Sequence, residues 1–150
     1  MTIPPIPSQL TLEIVTPDHA VAHAEVDEVE IPGENGYLGV LPGHTPLLTS
    51  LKVGEMWYRK GSERHFLSVA FGFAEILPDR VILLARMAEK AEDIDIARAE
   101  AAKRRAEERL AQVQARAGAG QIDQDLDRAR IALMKALVRL NVATRARTRG

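Results

Sequence analysis

The residues best suited to chemistry in this sequence are cations on a helical period. Arg98, Arg105 and Arg109 recur at spacings of seven and four, and Arg128, Lys135 and Arg139 repeat that spacing. Steps of four and seven return to one side of a helix, so each trio forms a basic stripe. Two such stripes on paired helices suit a polyphosphate or an acidic segment of another protein. The plainer alternative for the first stripe is a solvated face whose cations are offset by Glu100, Glu107 and Glu108. From Arg128 onward there are seven Lys or Arg and no acid, and a block of like charge often serves as an interaction tail.

Catalytic arrangements find no support. There is no G-x-x-x-x-G-K-[ST] loop, and Gly33, Gly36, Gly39 and Gly43 miss the dinucleotide spacing and open no helix. They read as a chain of turns joining strands. Ser8, Ser50, Ser62 and Ser68 stand in no nucleophile-elbow context. His19 and His23 lie in a strand-like pattern after Pro17, and His44 and His65 are isolated, so all four read as surface or turn histidines. With no cysteine, disulfides and thiolate metal sites are excluded.

The elements that must position the cations follow from a shift in composition. All eight prolines lie at or before Pro78, and seven of the ten glycines at or before Gly72. Residues 1–88 carry six basic and eleven acidic groups (net −5), and residues 89–150 carry fourteen and ten (net +4). In the first half the apolar period is two: Leu10, Leu12 and Ile14, then Val29 and Ile31, then Met56 and Tyr58. Phe66–Val69, Phe73–Leu77 and Val81–Ala85 follow as further strands between turn signals. This predicts a β-sandwich over residues 1–88. In the second half the period is 3.6, predicting a helix over about 93–117 with a stripe of Ala99, Ala102, Ala106, Leu110, Val113 and Ala117. After a Gly118-Ala119-Gly120 break a second helix is expected over about 123–144. Residues 89–150 thus read as an antiparallel two-helix hairpin. The second helix is apolar on two sides: Ile122, Leu126, Ala129, Leu133, Leu137 and Leu140 are expected to pack on the first helix. Ile131, Met134, Val138 and Val142 are left for another cover.

The 150 residues amount to one domain or two small modules, and a net charge of −1 argues against a nucleic-acid binder. No run approaches the ~18 apolar residues of a membrane span. The first basic residue is Lys52, which leaves no charged start for a secretory or transit signal, so the chain is expected to stay where it is made.

One long motif narrows the reading further. Gly36-Tyr37-Leu38-Gly39-Val40-Leu41-Pro42-Gly43-His44-Thr45-Pro46-Leu47-Leu48 resembles the G-x-L-G-[IV]-x-P-G-H-x-P-L-L signature of the ε subunits of bacterial F-type ATP synthases. The resemblance continues through residues 67–76, 88–95, Arg98-Ala99 and 137–142, so it covers about residues 8–143. It implies a non-catalytic rotor subunit whose β-sandwich sits on the γ subunit and the c-ring. The two helices would lie folded or extend toward the α/β catalytic head, where the extended state inhibits ATP hydrolysis.

The resemblance also implies roles for particular residues. Glu34, Tyr37 and His44 fall in the rotor-facing turn, although Tyr37 stands where an acid is usual. Lys135, Arg139, Arg145 and Arg147 would meet acidic segments of the catalytic β subunits. Ile94, Asp95, Arg98 and Ala99 match an I-D-x-x-R-A motif that in some members binds a regulatory ATP together with basic positions matched by Arg105, Lys135 and Arg139. The same motif serves in other members as a helix start. No cofactor is required. Phe71 stands where a glycine is usual, which predicts a local difference in backbone or packing. The implied location is the bacterial plasma (inner) membrane, peripheral, on the cytoplasmic side. The alternative from the residues alone is a free-standing protein-binding module.

Overall fold

The computed structural model describes residues 2–116 and 122–147, apart from the side chains of residues 122, 123 and 147. Eight strands come first: β1 (Leu10–Val15), β2 (Ala20–Val26), β3 (Glu28–Gly33), β4 (Gly36–Val40), β5 (Leu47–Ser50), β6 (Val53–Lys60), β7 (Glu63–Ile76) and β8 (Arg80–Lys90). A 3-10 turn at Ala91–Asp93 leads into two helices, α1 (Ile96–Ala115) and α2 (Ile122–Arg147). The expected order, strands and then a pair of helices, is the observed one. The chain divides into two compact units, Met1–Lys90 and Ala91–Gly150.

Strand alternation builds the first unit. Leu10, Leu12 and Ile14 of β1 are fully buried, while Thr11, Glu13 and Val15 take the opposite face. Val29 and Ile31 of β3 and Val81, Leu83 and Ala85 of β8 join them in one core. Each large side chain so buried contributes about 1.5–3 kcal/mol. The strands run in the order β2-β1-β8-β7-β6-β3-β4, with β5 attached to β7. Of these pairings only β1 with β8 is parallel. At the β2–β3 corner the Asp27 carboxylate accepts hydrogen bonds from the Gly61 N–H at 2.6 Å and from Gln9 at 3.2 Å, beside Arg59 at 3.6 Å.

Two expected strands, Phe66–Val69 and Phe73–Leu77, are one. β7 pairs with β6 through residues 63–70 and with β5 through residues 73–76, and it changes partner at Phe71 and Gly72. Both residues have positive φ, 61° and 111°. A side chain at Gly72 would collide with the Leu84 carbonyl oxygen. Phe71 therefore keeps a left-handed backbone that favours glycine, and a bulky residue held there stores strain. The core residues shift from Leu67 and Val69 to Ala74 and Ile76 across this corner, so the alternation slips and hides the continuity of the strand. Gly36–Val40, expected among turns, is the edge strand β4.

The second unit is held by small residues. α1 buries Ala99, Ala106 and Val113, and α2 buries Ala129, Ala136 and Ala143, each set at a spacing of seven. Val142 is buried as well. A seven-residue repeat keeps each set on one side of its helix. Alanine lets the two backbones approach closely. The expected α2 stripe holds at Ala129, which is buried, and at Leu126, Leu133 and Leu140, which are half-buried, but not at Leu137, which is 45% exposed whereas Ala136 beside it is 1% exposed. Close packing selects the smaller side chain, not the more hydrophobic one. The Gly118-Ala119-Gly120 break lies outside the described residues.

Candidate functional site

The turn between β3 and β4 is built by backbone pairing. Gly33 pairs with Gly36 and bridges to Leu51, and the Glu34 N–H donates to the Ser50 carbonyl at 2.9 Å. Gly36 has φ 127°, which a residue with a side chain rarely adopts. Across the ladder Tyr37 faces Pro32. A Cβ placed on Gly54 would lie 2.7 Å from Pro32 Cβ and 2.9 Å from the Tyr37 hydroxyl. Gly54 therefore makes room for Tyr37 to lie over Pro32, with 61% of Tyr37 still exposed. Residues 33–38 and 47–50 line a half-open surface hollow of about 360 Å³. Glu34 and Tyr37 both line it, and His44 does not. His44 is instead bound into its own loop: its backbone N–H donates to the Leu41 carbonyl at 3.1 Å, and its Nδ1 lies 2.6 Å from the Thr45 carbonyl oxygen.

A second surface was not read from the sequence. Leu48, Phe73 and Leu84 are 71%, 56% and 57% exposed. In the ladder Ser50 pairs with Phe73, Phe73 with Leu84, and Leu84 with Val15. Large apolar side chains therefore run across the outer face of β5, β7, β8 and β1. Contiguous exposed apolar side chains are more common at protein-contact surfaces than elsewhere. The available signal was that Val81–Ala85 is apolar on both faces and that Phe73 alternates with Ala74 and Ile76: Ala74, Ile76, Leu83 and Ala85 are buried, which leaves Phe73 and Leu84 outside.

In the hairpin, Asp95 is the N-cap of α1, and its Oδ1 accepts from the Arg98 N–H at 3.1 Å. Ile94 and Ala99 are buried, and Arg98 and Arg105 are exposed. The motif thus starts the helix, with its apolar members turned inward. On α2, Lys135 and Arg139 are half-buried and Arg145 is exposed; the side chain of Arg147 lies outside the described residues. Arg98 and Arg105 each precede a seam alanine by one position, as do Arg128 and Lys135; Arg109 and Arg139 each follow one by three. At 100° per residue these offsets are −100° and −60° on both helices. In an antiparallel pair the two helices wind in opposite senses about their seam, so equal offsets point to the same side. The two basic stripes therefore merge into one face. Among the described residues no cluster of His, Asp and Glu could hold a metal ion, and no helix is long and apolar enough to cross a membrane.

Comparison with known families decides the kinship. Residues 9–91 match the ATP synthase delta/epsilon chain β-sandwich domain, and residues 92–144 match the long α-helix domain of the same chain. The chain belongs to the ATP synthase delta/epsilon family. It is similar to ATP synthase epsilon chain 2 of Syntrophotalea carbinolica, at 47% identity over 91% of this chain and 95% of the relative. The ATP synthase epsilon chain of Koribacter versatilis is 55% identical over 65% of this chain and 69% of the relative. A chain in the cryo-EM structure of the Euglena gracilis mitochondrial ATP synthase (OSCP/F1/c-ring) has the same fold, with a TM-score of 0.73 at 20% identity over 97% of this chain and 84% of that one. As a member of this family the chain is a structural and regulatory subunit of the synthase, not its catalytic one.

Proposed function

We propose that this chain is a rotor subunit that couples proton translocation to ATP synthesis and restrains ATP hydrolysis through its C-terminal helices. The sandwich seats on the γ subunit and the c-ring, using the turn with Glu34 and Tyr37, the loop with His44, and the apolar row of Leu48, Phe73 and Leu84. The complex holds it at the cytoplasmic side of a bacterial plasma membrane. The hairpin supplies the regulatory contact, with Lys135, Arg139, Arg145 and Arg147 meeting acidic segments of the catalytic head. The observation that carries this reading is the single basic face on a hairpin closed by an alanine seam. A face so charged favours an anionic partner, and a seam so thin can be exchanged. The same face favours a regulatory ATP as a second ligand.

The test uses the assembled complex. Removing residues 91–150, or replacing Lys135, Arg139, Arg145 and Arg147 together by Ala, should raise ATP hydrolysis without loss of assembly. Each exposed pair contributes only about 0–1 kcal/mol. Together the four can shift a two-state equilibrium by tenfold or more, and high salt should mimic the change. Hydrolysis unchanged in both variants would overturn the inhibitory role. Failure of γ and the c-ring to copurify with the intact chain would favour a free-standing binding module.

A further inference from the structure

Residues 3–7, Ile-Pro-Pro-Ile-Pro, stand ahead of β1 and ahead of the stretch that matches the family, which starts at residue 9. Each proline fixes its own φ at about −65°, and Ile3, Pro4 and Ile6 each precede a proline, which holds them extended. The segment is therefore a stiff, polyproline-like rod with little conformational freedom left to lose. Ile6 of this rod lies against Gly43. A Cβ placed on Gly43 would fall 3.0 Å from Ile6 Cγ2, 3.4 Å from Cγ1 and 3.6 Å from Cδ1. Gly43 has φ 86°, where glycine is favoured. The one residue thus serves both the backbone of its loop and the seat of Ile6. Ile6 is nonetheless 75% exposed, and the sandwich core forms without it.

The loop under Ile6 has little else to hold it. Across residues 41–50 no side chain is buried, and the core resumes at Val40 before them and Leu51 after them. A backbone hydrogen bond ties the loop to another part of the chain, from the Gly43 N–H to the Pro78 carbonyl at 2.8 Å. A hydrogen bond shielded from water is stronger than an exposed one, and Ile6 covers the residue that donates it. His44 follows at once, with its N–H and its ring tied to Leu41 and Thr45 of the same loop. We propose that residues 3–7 act as a brace in which Ile6 is a positioning residue: it keeps the Gly43–Pro78 hydrogen bond closed and so fixes the loop that carries His44. A rod already stiff does this at small entropic cost. That the braced loop serves docking rests on the rotor reading. The brace itself can be measured on this chain without the complex.

The experiment is amide hydrogen exchange, read by NMR on the full-length chain, for wild type, Ile6→Ser and Ile6→Val. Ile6→Ser should speed exchange at Gly43 about tenfold and shift the ring signals of His44. Ile6→Val keeps both γ carbons over Gly43 and should stay close to wild type. The amides of β7 and the fluorescence of the lone Trp57 should be unmoved in both variants, because the core does not include Ile6. A Gly43 rate that serine leaves unaltered, or that valine raises as much as serine does, would overturn the brace. Faster exchange throughout the sandwich in Ile6→Ser would do so too, since Ile6 would then support the fold and not the loop. An unaltered Gly43 rate sinks the brace even where γ and the c-ring copurify with the intact chain, and the rotor reading stands. A rate raised by serine and not by valine supports the brace even where they fail to copurify, and the rotor reading falls instead.

Discussion

The two units of this chain are built from different materials. The sandwich buries leucine, isoleucine, valine and methionine in one continuous core, whereas the seam between the helices is mostly alanine. At about 25 cal/mol per Å² of buried apolar surface, an alanine contributes a fraction of what a leucine does. The sandwich therefore has a core of large, fully buried side chains, while the fully buried residues of the hairpin are alanine and valine. An element that must exchange one partner for another is better closed by such a seam than by a deep core.

Cutting the chain is the strongest test of that contrast. Residues 1–90 alone should unfold cooperatively on heating, while residues 91–150 alone, held by the alanine seam, should melt at a lower temperature and less sharply. A fragment 91–150 that melts as late and as sharply as 1–90 would erase the distinction. Within the sandwich, Leu12→Ala should cost about 2–5 kcal/mol in denaturant unfolding, as large-to-small changes in a closed core do. In the hairpin the sensitive direction is reversed. Ala136→Leu should destabilise the unit by about 1–3 kcal/mol by forcing the helices apart, read as a loss of helical signal with the sandwich transition unmoved.

Smaller effects sharpen the same comparison. Asp95→Ala removes the α1 cap and should cost about 0.5–2 kcal/mol. Arg98→Ala leaves the cap intact, because the backbone N–H is the donor. If the basic face binds ATP, Arg98→Ala should therefore weaken the calorimetric affinity about tenfold and Lys135→Arg should strengthen it. An ATP signal lost only with Asp95→Ala would assign the motif to helix initiation. The smallest effect is in the sandwich. The Gly61 N–H, the Gln9 amide and Arg59 hold the Asp27 carboxyl below its ordinary value of 3.8, the Gly61 hydrogen bond being the largest cause. A lowered carboxylate contributes stability that is present above the unfolded value and lost as pH falls through the folded one. Acid melts should thus show a decline setting in near pH 4 that Asp27→Asn reduces.

Much of this architecture was legible from the residues. The buried faces of β1, β3 and β8 follow the alternation of Leu10–Leu12–Ile14, Val29–Ile31 and Val81–Leu83, and Ala99, Ala106 and Val113 were read correctly as the α1 face. What escaped has physical causes. β4 was hidden because Gly36 and Gly39 look like turn residues, although an edge strand tolerates them. β7 looked like two strands because its alternation slips at Phe71–Gly72. On α2 the stripe was right at Ala129 and wrong at Leu137, because hydrophobicity ranks Leu137 above Ala136 while the close helix pair ranks them by size. In the candidate site, Glu34 and Tyr37 emerged from the motif and do share a surface hollow, but that hollow needs β5 beside the turn. The Leu48–Phe73–Leu84 row needs the strand register, which no local pattern supplies.

The parallel pairing of β1 with β8 has a consequence in time. It joins Thr11–Val15 to Arg80–Leu84, segments about 70 residues apart in sequence, and contacts of such separation form slowly because a long loop must close first. During synthesis at about 5–20 residues per second, β1 waits several seconds for its neighbour. Until then its buried face of Leu10, Leu12 and Ile14 can be covered only by the β2 hairpin or by a chaperone. The helices, whose contacts are local, form within microseconds of their emergence. The helical unit, made after the sandwich, can thus assemble almost as soon as it appears, while the first of the eight strands is among the last to be completed.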